Sequence, residues 1–311
     1  MKIIITGVAG FIGSNLALRL LRERGHHVVG IDNLSYGIRE QVPDGVDFYE
    51  ADIRDKEIYK LFTGGDVVFH LAAKNCISDC QSDPHETTDI NVTGTVNIFE
   101  AARRAEVRKV VYAESSALYE GSAVFPTPES ELRPRSFYAL SKAASMYFAN
   151  AYRMFHGMRI TALRYFCVYG PRQDYRRTVP PVMSSFIIKL LKGEAPLIYG
   201  TGEKRRDFVY VDDINDFHML SITDRRTDGN TYNIGSGTNY SVNEVYGAVS
   251  GILGIHIPAV HKPDLPGEAE ITLADITAAR NLGWRPRTEL TQGLSEMIKY
   301  IRGELRAGRC G

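Results

Sequence analysis

The sequence predicts an α/β protein in which a doubly wound parallel sheet is followed by a smaller mixed α/β domain. Three features indicate this fold. Short apolar runs alternate with amphipathic segments through the first half, the first run leads directly into a glycine-rich loop, and the alternation is lost after residue 172. Strands that alternate with helices form parallel sheets covered on both faces. We therefore expect one domain at residues 1–167, to which the chain returns near residues 206–235, and a second at residues 168–311.

Hydrophobic periodicity places the individual elements. Apolar side chains recur at helical spacing at Ile12, Leu16 and Leu20, and Gly25 ends that pattern. In the first half we predict strands at Lys2–Thr6, His27–Ile31, Val46–Glu50, Asp66–His70, Lys109–Ala113 and Arg159–Arg164, and helices at Phe11–Arg24, Pro84–Ala105 and Ser136–His156. In the second half we predict helices at Val179–Leu191, from about Asp212, at Ser241–Leu253 and at Leu290–Leu305, and strands at Leu197–Tyr199, Arg206–Val211, Tyr232–Ile234 and near Ile255–His261.

Composition argues against several classes of protein. The 311 residues carry 37 Lys and Arg against 37 Asp and Glu, so bulk charge attracts neither nucleic acid nor a membrane surface. No apolar run reaches the length of about 18 residues that a membrane span needs. The apolar start at residues 1–7 is too short for a signal-peptide core. Four cysteines in a chain of this length predict no disulfide framework and favour a reducing, cytoplasmic environment.

Two of the cysteines raise the question of a metal site. Cys76 and Cys80 lie four residues apart, and His70 and His85 are near them in the sequence. Such residues are zinc ligands in many proteins. Cysteines four apart on a helix are more often core or surface residues, and we expect no metal here.

The glycine-rich loop predicts a dinucleotide site. Gly7, Gly10 and Gly13 follow the first strand and open the first helix, in the spacing G-x-x-G-x-x-G. Glycines in this context let backbone amides approach a pyrophosphate at a helix N-terminus. Asp32 ends the second strand nineteen residues later, where a carboxylate accepts both ribose hydroxyls of NAD and repels the 2′-phosphate of NADP. The competing interpretation is a strand-ending loop whose glycines only cap the helix.

A tyrosine and a lysine at helical spacing predict acid–base chemistry. Tyr138 and Lys142 lie at i and i+4 near the start of a helix, and therefore on one face. A phenol with a pKa near 10 needs a drop of about three units, about 4 kcal/mol, to act as a base at neutral pH. Lys142 and a positively charged nicotinamide both act in that direction. Ser115 follows the fifth strand, where it can bond the hydroxyl that Tyr138 deprotonates. Alone, either pattern is common: Tyr-x-x-x-Lys on solvated helices, and Ser-Ser at strand-end turns.

Taken together, these motifs resemble the extended short-chain dehydrogenase/reductase family of NAD-dependent nucleotide-sugar epimerases and dehydratases, and within it the 4-epimerases of UDP-galactose and UDP-N-acetylglucosamine. The resemblance covers nearly the whole chain and implies a Rossmann-type fold. It rests on Ser115, Tyr138 and Lys142, and on the motifs at residues 7–13, 32–34, 52–53, 70–73, 91–95, 163–166, 169–172, 206–211 and 232–235.

The resemblance also implies roles for individual residues. Asp52 and Ile53 would hold the adenine, and residues 71–74 would line the nicotinamide side. The implied catalytic residues are Ser115, Tyr138 and Lys142. The implied cofactor-binding residues are Gly7, Gly10, Phe11, Ile12, Gly13, Asp32, Asn33, Ser35, Gly37, Asp52, Ile53, Leu71, Ala72, Ala73, Lys74, Ile90, Asn91, Tyr138, Lys142, Tyr165 and Phe166. The implied substrate-binding residues are Asn75, Ser115, Ser116, Cys167, Val179, Phe186, Arg206 and Thr272, with Arg206 on the diphosphate and residues 179–186 near the base.

The same resemblance implies a homodimer that pairs through the helices near Pro84–Ala105 and Ser136–His156. Apolar side chains on these helices are compatible with such an interface, although a core role explains them equally well. They are Ile98, Met146, Phe148 and Phe155.

The reaction favoured by the sequence is C4 epimerisation through a transient 4-keto sugar. The 4,6-dehydratases resemble one another in an Asp-Glu pair after the catalytic threonine, and here these positions are Ser116 and Ala117, which do no acid–base work near neutral pH. Glu114 would point to the other face of its strand, and Glu120 stands where the family has glycine. A dehydratase or a reductase is the enzymatic alternative.

Two departures from the family pattern concern the diphosphate. Cys167 stands in place of an asparagine, and Leu265 in place of an arginine, for which Lys262 or Arg205 would have to substitute. A non-catalytic NAD-binding sensor therefore remains an alternative of another class. Thr272 falls where the 4-epimerases gate the 2-substituent, and its small side chain predicts room for an N-acetyl group.

Overall fold

Strands and helices alternate through most of the computed structural model, which describes residues 1–23, 25–175, 180–264 and 269–309. The strands are β1 (Lys2–Thr6), β2 (His27–Asp32), β3 (Asp47–Glu50), β4 (Val67–His70), β5 (Lys109–Ser115), β6 (Ile160–Tyr165), β7 (Cys167–Tyr169), β8 (Leu197–Tyr199), β9 (Arg205–Tyr210), β10 (Thr231–Ile234), β11 (Asn239–Ser241) and β12 (Val260–Lys262). The helices are α1 (Phe11–Arg22), α2 (Tyr59–Phe62), α3 (Ile77–Ser82), α4 (Pro84–Thr88), α5 (Thr95–Arg104), α6 (Phe137–His156), α7 (Val182–Leu191), α8 (Val211–Thr223), α9 (Val242–Leu253), α10 (Thr277–Asn281) and α11 (Leu290–Arg306).

A seven-stranded parallel sheet organises the first part of the chain, in the order β3-β2-β1-β4-β5-β6-β10. Separate hydrophobic cores form around α1 and α8 and around α5 and α6, with fully buried residues such as Leu16 in one and Phe99 in the other. The strand order reverses between β1 and β4, and ligands of such sheets bind outside the carboxyl ends of the strands at this point. The predicted doubly wound α/β fold is confirmed.

The remaining strands form two small sheets next to a third hydrophobic core. One sheet has the order β11-β9-β7 and the other pairs β12 with β8. Phe186, Val249 and Leu294, from α7, α9 and α11, are fully buried in this core. None of the described helices is long and apolar enough to cross a bilayer.

The observed bounds of the helices and strands differ from the predicted bounds mainly next to prolines and in short elements. Pro258 interrupts the predicted strand near Ile255–His261, and only β12 forms. Residues 180 and 181 are prolines, so α7 starts at Val182; the predicted starting residue, Val179, lies outside the described residues, as does Arg24. The predicted helix Pro84–Ala105 is observed as α4 and α5 joined by a π-helical turn, Asp89–Gly94. Three-residue strands such as β7 and β11 are too short to show a period.

Candidate active site

The glycine-rich loop joins the end of β1 to the start of α1. Gly10 precedes α1, and Phe11 and Ile12 form its first turn. A methyl group on Gly13 would lie 2.1 Å from the carbonyl oxygen of Gly7, so a larger residue there would push the loop apart. Among the described residues, no side chain caps α1. The amides of its first turn are therefore open to an anion such as a pyrophosphate.

We expect Gly13→Ala to weaken NAD binding by about 100-fold or more, about 2.7 kcal/mol, because the added methyl group collides with backbone. Isothermal titration calorimetry measures the affinity, and circular dichroism tests whether the fold survives. Gly247→Ala is the matched control, since a methyl group there meets nothing within 4 Å. A Gly13→Ala protein with native affinity would remove this loop from the cofactor site.

Asp32 ends β2 beside the glycine-rich loop. Its Oδ2 accepts a hydrogen bond from the Ala9 amide at 3.0 Å, and its Oδ1 accepts one from the Leu34 amide at 2.9 Å. Gly37 approaches so closely that a methyl group on it would lie 2.8 Å from Oδ1. Burial raises the pKa of Asp32, and the two backbone bonds oppose that change. Because a carboxylate oxygen accepts more than one hydrogen bond, both oxygens keep capacity for a ribose hydroxyl.

The predicted adenine contacts lie next to Asp32. The side-chain amide of Asn33 donates to Asp52 Oδ2 at 2.8 Å, and Ser35 lies exposed beyond it. Arg54 also binds the Asp52 carboxylate and lowers its pKa to about 2. Ile53 is 6% exposed. The structure therefore brings these residues to one rim of the sheet.

The segment at residues 71–74 leaves the end of β4 and is held from two sides. The Leu71 amide donates to the Thr6 carbonyl at 3.1 Å. Asn91, next to Ile90 in the π-helical turn, accepts from the Lys74 amide at 2.8 Å and donates to the Lys74 carbonyl at 2.9 Å. The Lys74 ammonium is paired with Glu86 at 2.5 Å, whereas Asn75 is exposed. The Lys74 side chain is therefore engaged by Glu86, and the backbone of this segment is fixed by Thr6 and Asn91.

Ser115, Tyr138 and Lys142 meet at the carboxyl end of β5. Tyr138 and Lys142 lie one turn apart on α6, and Lys142 Nζ is 6.0 Å from the centre of the Tyr138 ring. The Lys142 ammonium donates to the Ala113 carbonyl at 2.9 Å, which fixes α6 against β5. The Ser115 side chain lies beside the Tyr138 hydroxyl and lowers its pKa, and Ser115 Oγ accepts a hydrogen bond from the Ala117 amide at 3.1 Å. The structure thus brings the three predicted residues together.

With the protein groups alone, the Tyr138 phenol stays protonated at neutral pH and does not act as a base. Burial raises the pKa of Tyr138 to about 12, while the Ser115 hydrogen bond opposes the rise. Burial lowers the pKa of Lys142 to about 8, and the Glu114 carboxylate opposes that drop. The drop of about three units, expected from Lys142 together with a positively charged nicotinamide, is therefore not supplied by the protein side chains alone. A further positive charge is needed to stabilise the phenolate.

Glu114 is committed to a buried ion pair. It lies opposite Arg164 in the register of β5 and β6, with Oε2 at 2.5 Å from Arg164 Nε, and the Tyr112 hydroxyl donates to its other oxygen. Glu114 and Arg164 are each 2% exposed. The Arg164 guanidinium also donates to the Tyr119 hydroxyl at 2.9 Å. This carboxylate is structural and does not face the pair Ser115 and Tyr138.

Glu120 is bound to the start of α6. Its carboxylate accepts hydrogen bonds from the Ser136 amide at 2.8 Å, the Ser136 hydroxyl at 2.9 Å and the Arg135 amide at 3.2 Å. Ser136 is the N-cap of α6, and its hydroxyl accepts from the Ala139 amide at 3.1 Å. The sequence leaves the role of Glu120 open because the partner segment lies fifteen residues further along the chain.

A buried polar chain behind the pair was not predicted. The Thr95 hydroxyl donates to the Asn91 carbonyl at 2.6 Å and accepts from His70 Nε2 at 3.0 Å, while Thr6 contacts His70 Nδ1 at 2.7 Å. Burial lowers the pKa of His70 to about 3, so this ring stays neutral. The Asn91 amide donates to the Ser141 hydroxyl at 3.0 Å and thereby joins the π-helical turn to α6. In the sequence, the one signal that could have indicated this polar chain was the i, i+3 spacing of Tyr138 and Ser141 on α6.

The two cysteines of α3 belong to the packing of this region. Cys80 is fully buried and donates to the Lys74 carbonyl at 3.4 Å, and Cys76 is partly exposed. Within the described ranges there is no group of three metal-ligating side chains.

The predicted substrate residues other than Asn75, Ser115 and Ser116 lie in the second part of the chain. Cys167 begins β7, and Arg206 lies half-buried in β9. The Thr272 hydroxyl accepts from the Asp207 amide at 3.1 Å. Phe186 is fully buried against Tyr246 and supports this region from the core rather than from its surface. Val179 and Leu265 lie outside the described residues.

The proposed substitutes for the missing arginine differ in their surroundings. The Arg205 guanidinium is held by Asn239 and Glu244 at 2.9 Å each, and Lys262 is exposed at the end of β12. Nearer the cofactor region, Tyr165 ends β6 with its hydroxyl 2.6 Å from His218 Nε2, and the Phe166 amide donates to the Ile234 carbonyl.

Comparison with known proteins identifies the family. The sequence profile of the NAD dependent epimerase/dehydratase family matches residues 3–235. The chain belongs to this family. The UDP-glucose 4-epimerase of Mycolicibacterium smegmatis is 36% identical over 98% of this chain and 99% of its own. A crystal structure of Thermotoga maritima UDP-glucose 4-epimerase with UDP-glucose has a TM-score of 0.94, with 34% identity over 98% of this chain and 100% of that one.

The predicted cofactor is confirmed by these relatives. The UDP-glucose 4-epimerase of Thermus thermophilus, solved in complex with NAD, has a TM-score of 0.90 and 33% identity over 97% of this chain and 99% of its own. This protein is therefore an enzyme of an NAD-dependent family whose relatives act on nucleotide sugars. The open amides of α1 and the carboxylate of Asp32 fit that cofactor.

The solved structures that resemble this protein also include a dehydratase. Streptomyces venezuelae DesIV, a dTDP-glucose 4,6-dehydratase, has a TM-score of 0.90 and 28% identity over 99% of this chain and 98% of its own. The fold therefore does not distinguish epimerisation from dehydration, and the two reactions must be distinguished by the side chains of the site. Ser116 and Ala117 carry no carboxylate, Glu114 is paired with Arg164, and Glu120 is bound to Ser136.

Proposed function

We propose that this protein catalyses the C4 epimerisation of a UDP-hexose or UDP-N-acetylhexosamine through a transient 4-keto sugar. The observation that supports this most is that Ser115 and Lys142 lie beside the Tyr138 phenol, without a second acid–base group directed at it from Ser116 or Ala117. A 4,6-dehydratase needs such a group to move protons at C5 and C6, whereas an epimerase does not. The proposal includes residues 1–167 as the cofactor domain, residues 168–311 as the substrate domain, and the site residues named above in the roles given, except that Phe186 supports the substrate region from the core.

In this mechanism Tyr138 takes the proton of the 4-hydroxyl and later returns it. Ser115 forms a hydrogen bond with the same oxygen and holds it close to the phenol. Lys142 fixes the position of α6 through Ala113 and contributes positive charge near the phenolate. NAD, when bound, supplies a reversible hydride acceptor. Because the hydride leaves and returns at one carbon, no net redox change occurs.

The activity test uses purified protein without added cofactor. UDP-glucose and UDP-N-acetylglucosamine are incubated with it separately, and the sugars are followed by NMR. We expect the C4 epimer of both, because the Thr272 side chain is small and is held by the Asp207 amide. Turnover of UDP-glucose alone would contradict the role given to Thr272. A 4-keto-6-deoxy product would contradict epimerisation itself.

The pKa of Tyr138 predicts a pH-dependent affinity for NAD. Positive charge near the phenol lowers its pKa from about 12, so NAD binding and ionisation of Tyr138 favour each other. We therefore expect the affinity to increase with pH between the lowered pKa and about 12, by at most about tenfold per pH unit. Calorimetric titrations at increasing pH measure this slope. In Tyr138→Phe the slope should be absent; an equal slope in both proteins would show that another group is responsible.

The homodimer also belongs to this proposal. Exposed apolar side chains concentrate on α6, where Phe155 is 73% exposed and Met154 is 72% exposed. The outward residues of α5 include Glu100 and Arg104, and Ile98 is fully buried. Of the four side chains considered from the sequence, Phe148 and Phe155 are exposed and Ile98 and Met146 belong to the core.

We expect Phe155→Glu to convert the protein from dimer to monomer, because it places a charge in the apolar contact. Analytical ultracentrifugation gives the mass. Tyr49→Glu, on the edge strand β3, is the control and should remain dimeric. A native protein that is monomeric at high concentration would remove the interface from the proposal.

A further inference from the structure

We propose that Glu120 is a positioning residue of the Ser115–Tyr138 pair. It joins the turn that follows Ser115 to the first residues of α6, and so sets the distance between the two hydroxyls. This inference rests on the proposed roles of Ser115 and Tyr138. The resemblance predicts glycine at this position, so the connection is a feature of this chain.

The connection starts from the β5 side of the site. A single 3₁₀ turn, Ser116–Tyr119, follows Ser115, and the Glu120 amide closes it by donating to the Ala117 carbonyl at 3.1 Å. Ser115 itself caps this turn through the Ala117 amide. The position of the Ser115 hydroxyl therefore depends on where this turn is held.

The α6 side is held by the Glu120 carboxylate. Three donors from Arg135 and Ser136 converge on it, and they include the backbone amide and the hydroxyl of the N-cap. Backbone bonds flank the contact, since the Arg133 amide donates to the Leu118 carbonyl at 2.8 Å and the Gly121 amide donates to the Arg133 carbonyl at 3.0 Å. A carboxylate that binds amides at a helix start orients the first turn, and Tyr138 lies in that turn.

Glu120 also acts on Tyr138 through its charge. The groups that act on the pKa of the phenol are Ser115 from β5, Cys80 from α3 and Glu120, and the Lys142 ammonium of α6 lies 6.0 Å from the ring centre. The carboxylate of Glu120 raises the pKa of Tyr138. The hydrogen bonds of Glu120 favour catalysis because they orient the start of α6, whereas its negative charge opposes ionisation of Tyr138. Substitutions can separate the two effects.

Three variants make the test. Glu120→Ala removes the hydrogen bonds, and we expect kcat to fall about tenfold with KM changed by less than about twofold, since small misplacements of reacting groups are costly. Glu120→Gln keeps an acceptor for Ser136 and removes the charge. It should retain most of kcat, and the midpoint of Tyr138 ionisation should fall, because the negative charge that raises the pKa of Tyr138 is removed. Asp224→Asn alters another capping carboxylate, which accepts from the Arg226 amide at 2.9 Å, and should change neither quantity.

The Tyr138 midpoint is read by NMR of isotope-labelled tyrosine, assigned with Tyr138→Phe, and therefore needs no substrate. A native kcat in Glu120→Ala would overturn the proposal, and so would an unchanged midpoint in Glu120→Gln. If Glu120→Ala does not fold, the midpoint of Tyr138 ionisation in Glu120→Gln still decides whether the proposal holds. If no nucleotide sugar is turned over by the native enzyme, the proposed function fails, and the same titration still supports or overturns the placement of Glu120 beside Tyr138.

Discussion

Tyr138→Phe is expected to lower kcat about 1,000-fold, because it removes the group that takes and returns the proton of the 4-hydroxyl. General acid–base groups typically contribute about 100- to 10,000-fold. The ring remains, so the packing of this buried residue and the unfolding free energy should change little, by about 1 kcal/mol for the lost hydrogen bond to Ser115. Steady-state kinetics and urea denaturation measure the two effects.

Tyr147→Phe is the control for this substitution. Tyr147 lies on the same helix but is 67% exposed, so its hydroxyl has no part in the proposed reaction. Its kcat should equal that of the native enzyme. If Tyr138→Phe retained more than about a tenth of the native kcat, Tyr138 would not be the acid–base group.

Arg164→Met is expected to lower the free energy of unfolding by about 3–5 kcal/mol, because it leaves the Glu114 carboxylate buried without its partner. The two residues are each 2% exposed, and Arg164 Nε lies 2.5 Å from Glu114 Oε2. The double variant Glu114→Gln and Arg164→Met should recover most of the loss, since neither charge then remains in the core. Urea denaturation of the single and double variants gives the coupling.

A surface ion pair provides the comparison. Lys189 and Glu194 lie 3.0 Å apart, with side chains 30% and 53% exposed. Exposed pairs contribute at most about 1 kcal/mol, so Lys189→Met should be close to native. A loss below about 1 kcal/mol in Arg164→Met would mean that Glu114 is free to change partner, and its exclusion as a catalytic acid would no longer hold.

The parts of the site that the sequence predicts are those with a local physical signature. Close backbone contact demands glycine at Gly13, and this demand is visible as spacing. Helical geometry puts Tyr138 and Lys142 on one face whatever surrounds them. The alternation of strands and helices likewise predicts the sheet, because each strand must be covered on both faces.

The parts that the sequence does not predict depend on register and on loops. Arg164 meets Glu114 only because β5 and β6 pair in one particular register, fifty residues apart. The contact of Glu120 with Ser136 requires the path of the loop between them. Burial raises the pKa of Tyr138 to about 12 and outweighs the effect of Ser115, so the protein alone does not supply the drop that base catalysis at neutral pH needs. Such balances follow from three-dimensional packing, and no spacing in the sequence shows them.

The most direct test of the proposed epimerisation follows the hydrogen at C4. UDP-glucose carrying deuterium at C4 is incubated with the purified enzyme in ordinary water, and the product is examined by NMR and mass spectrometry. We expect UDP-galactose that retains the deuterium at C4, because the hydride leaves and returns at one carbon without exchange. Loss of the label to solvent, its transfer to C6 in a 4-keto-6-deoxy sugar, or its accumulation in released NADH would contradict epimerisation by this route.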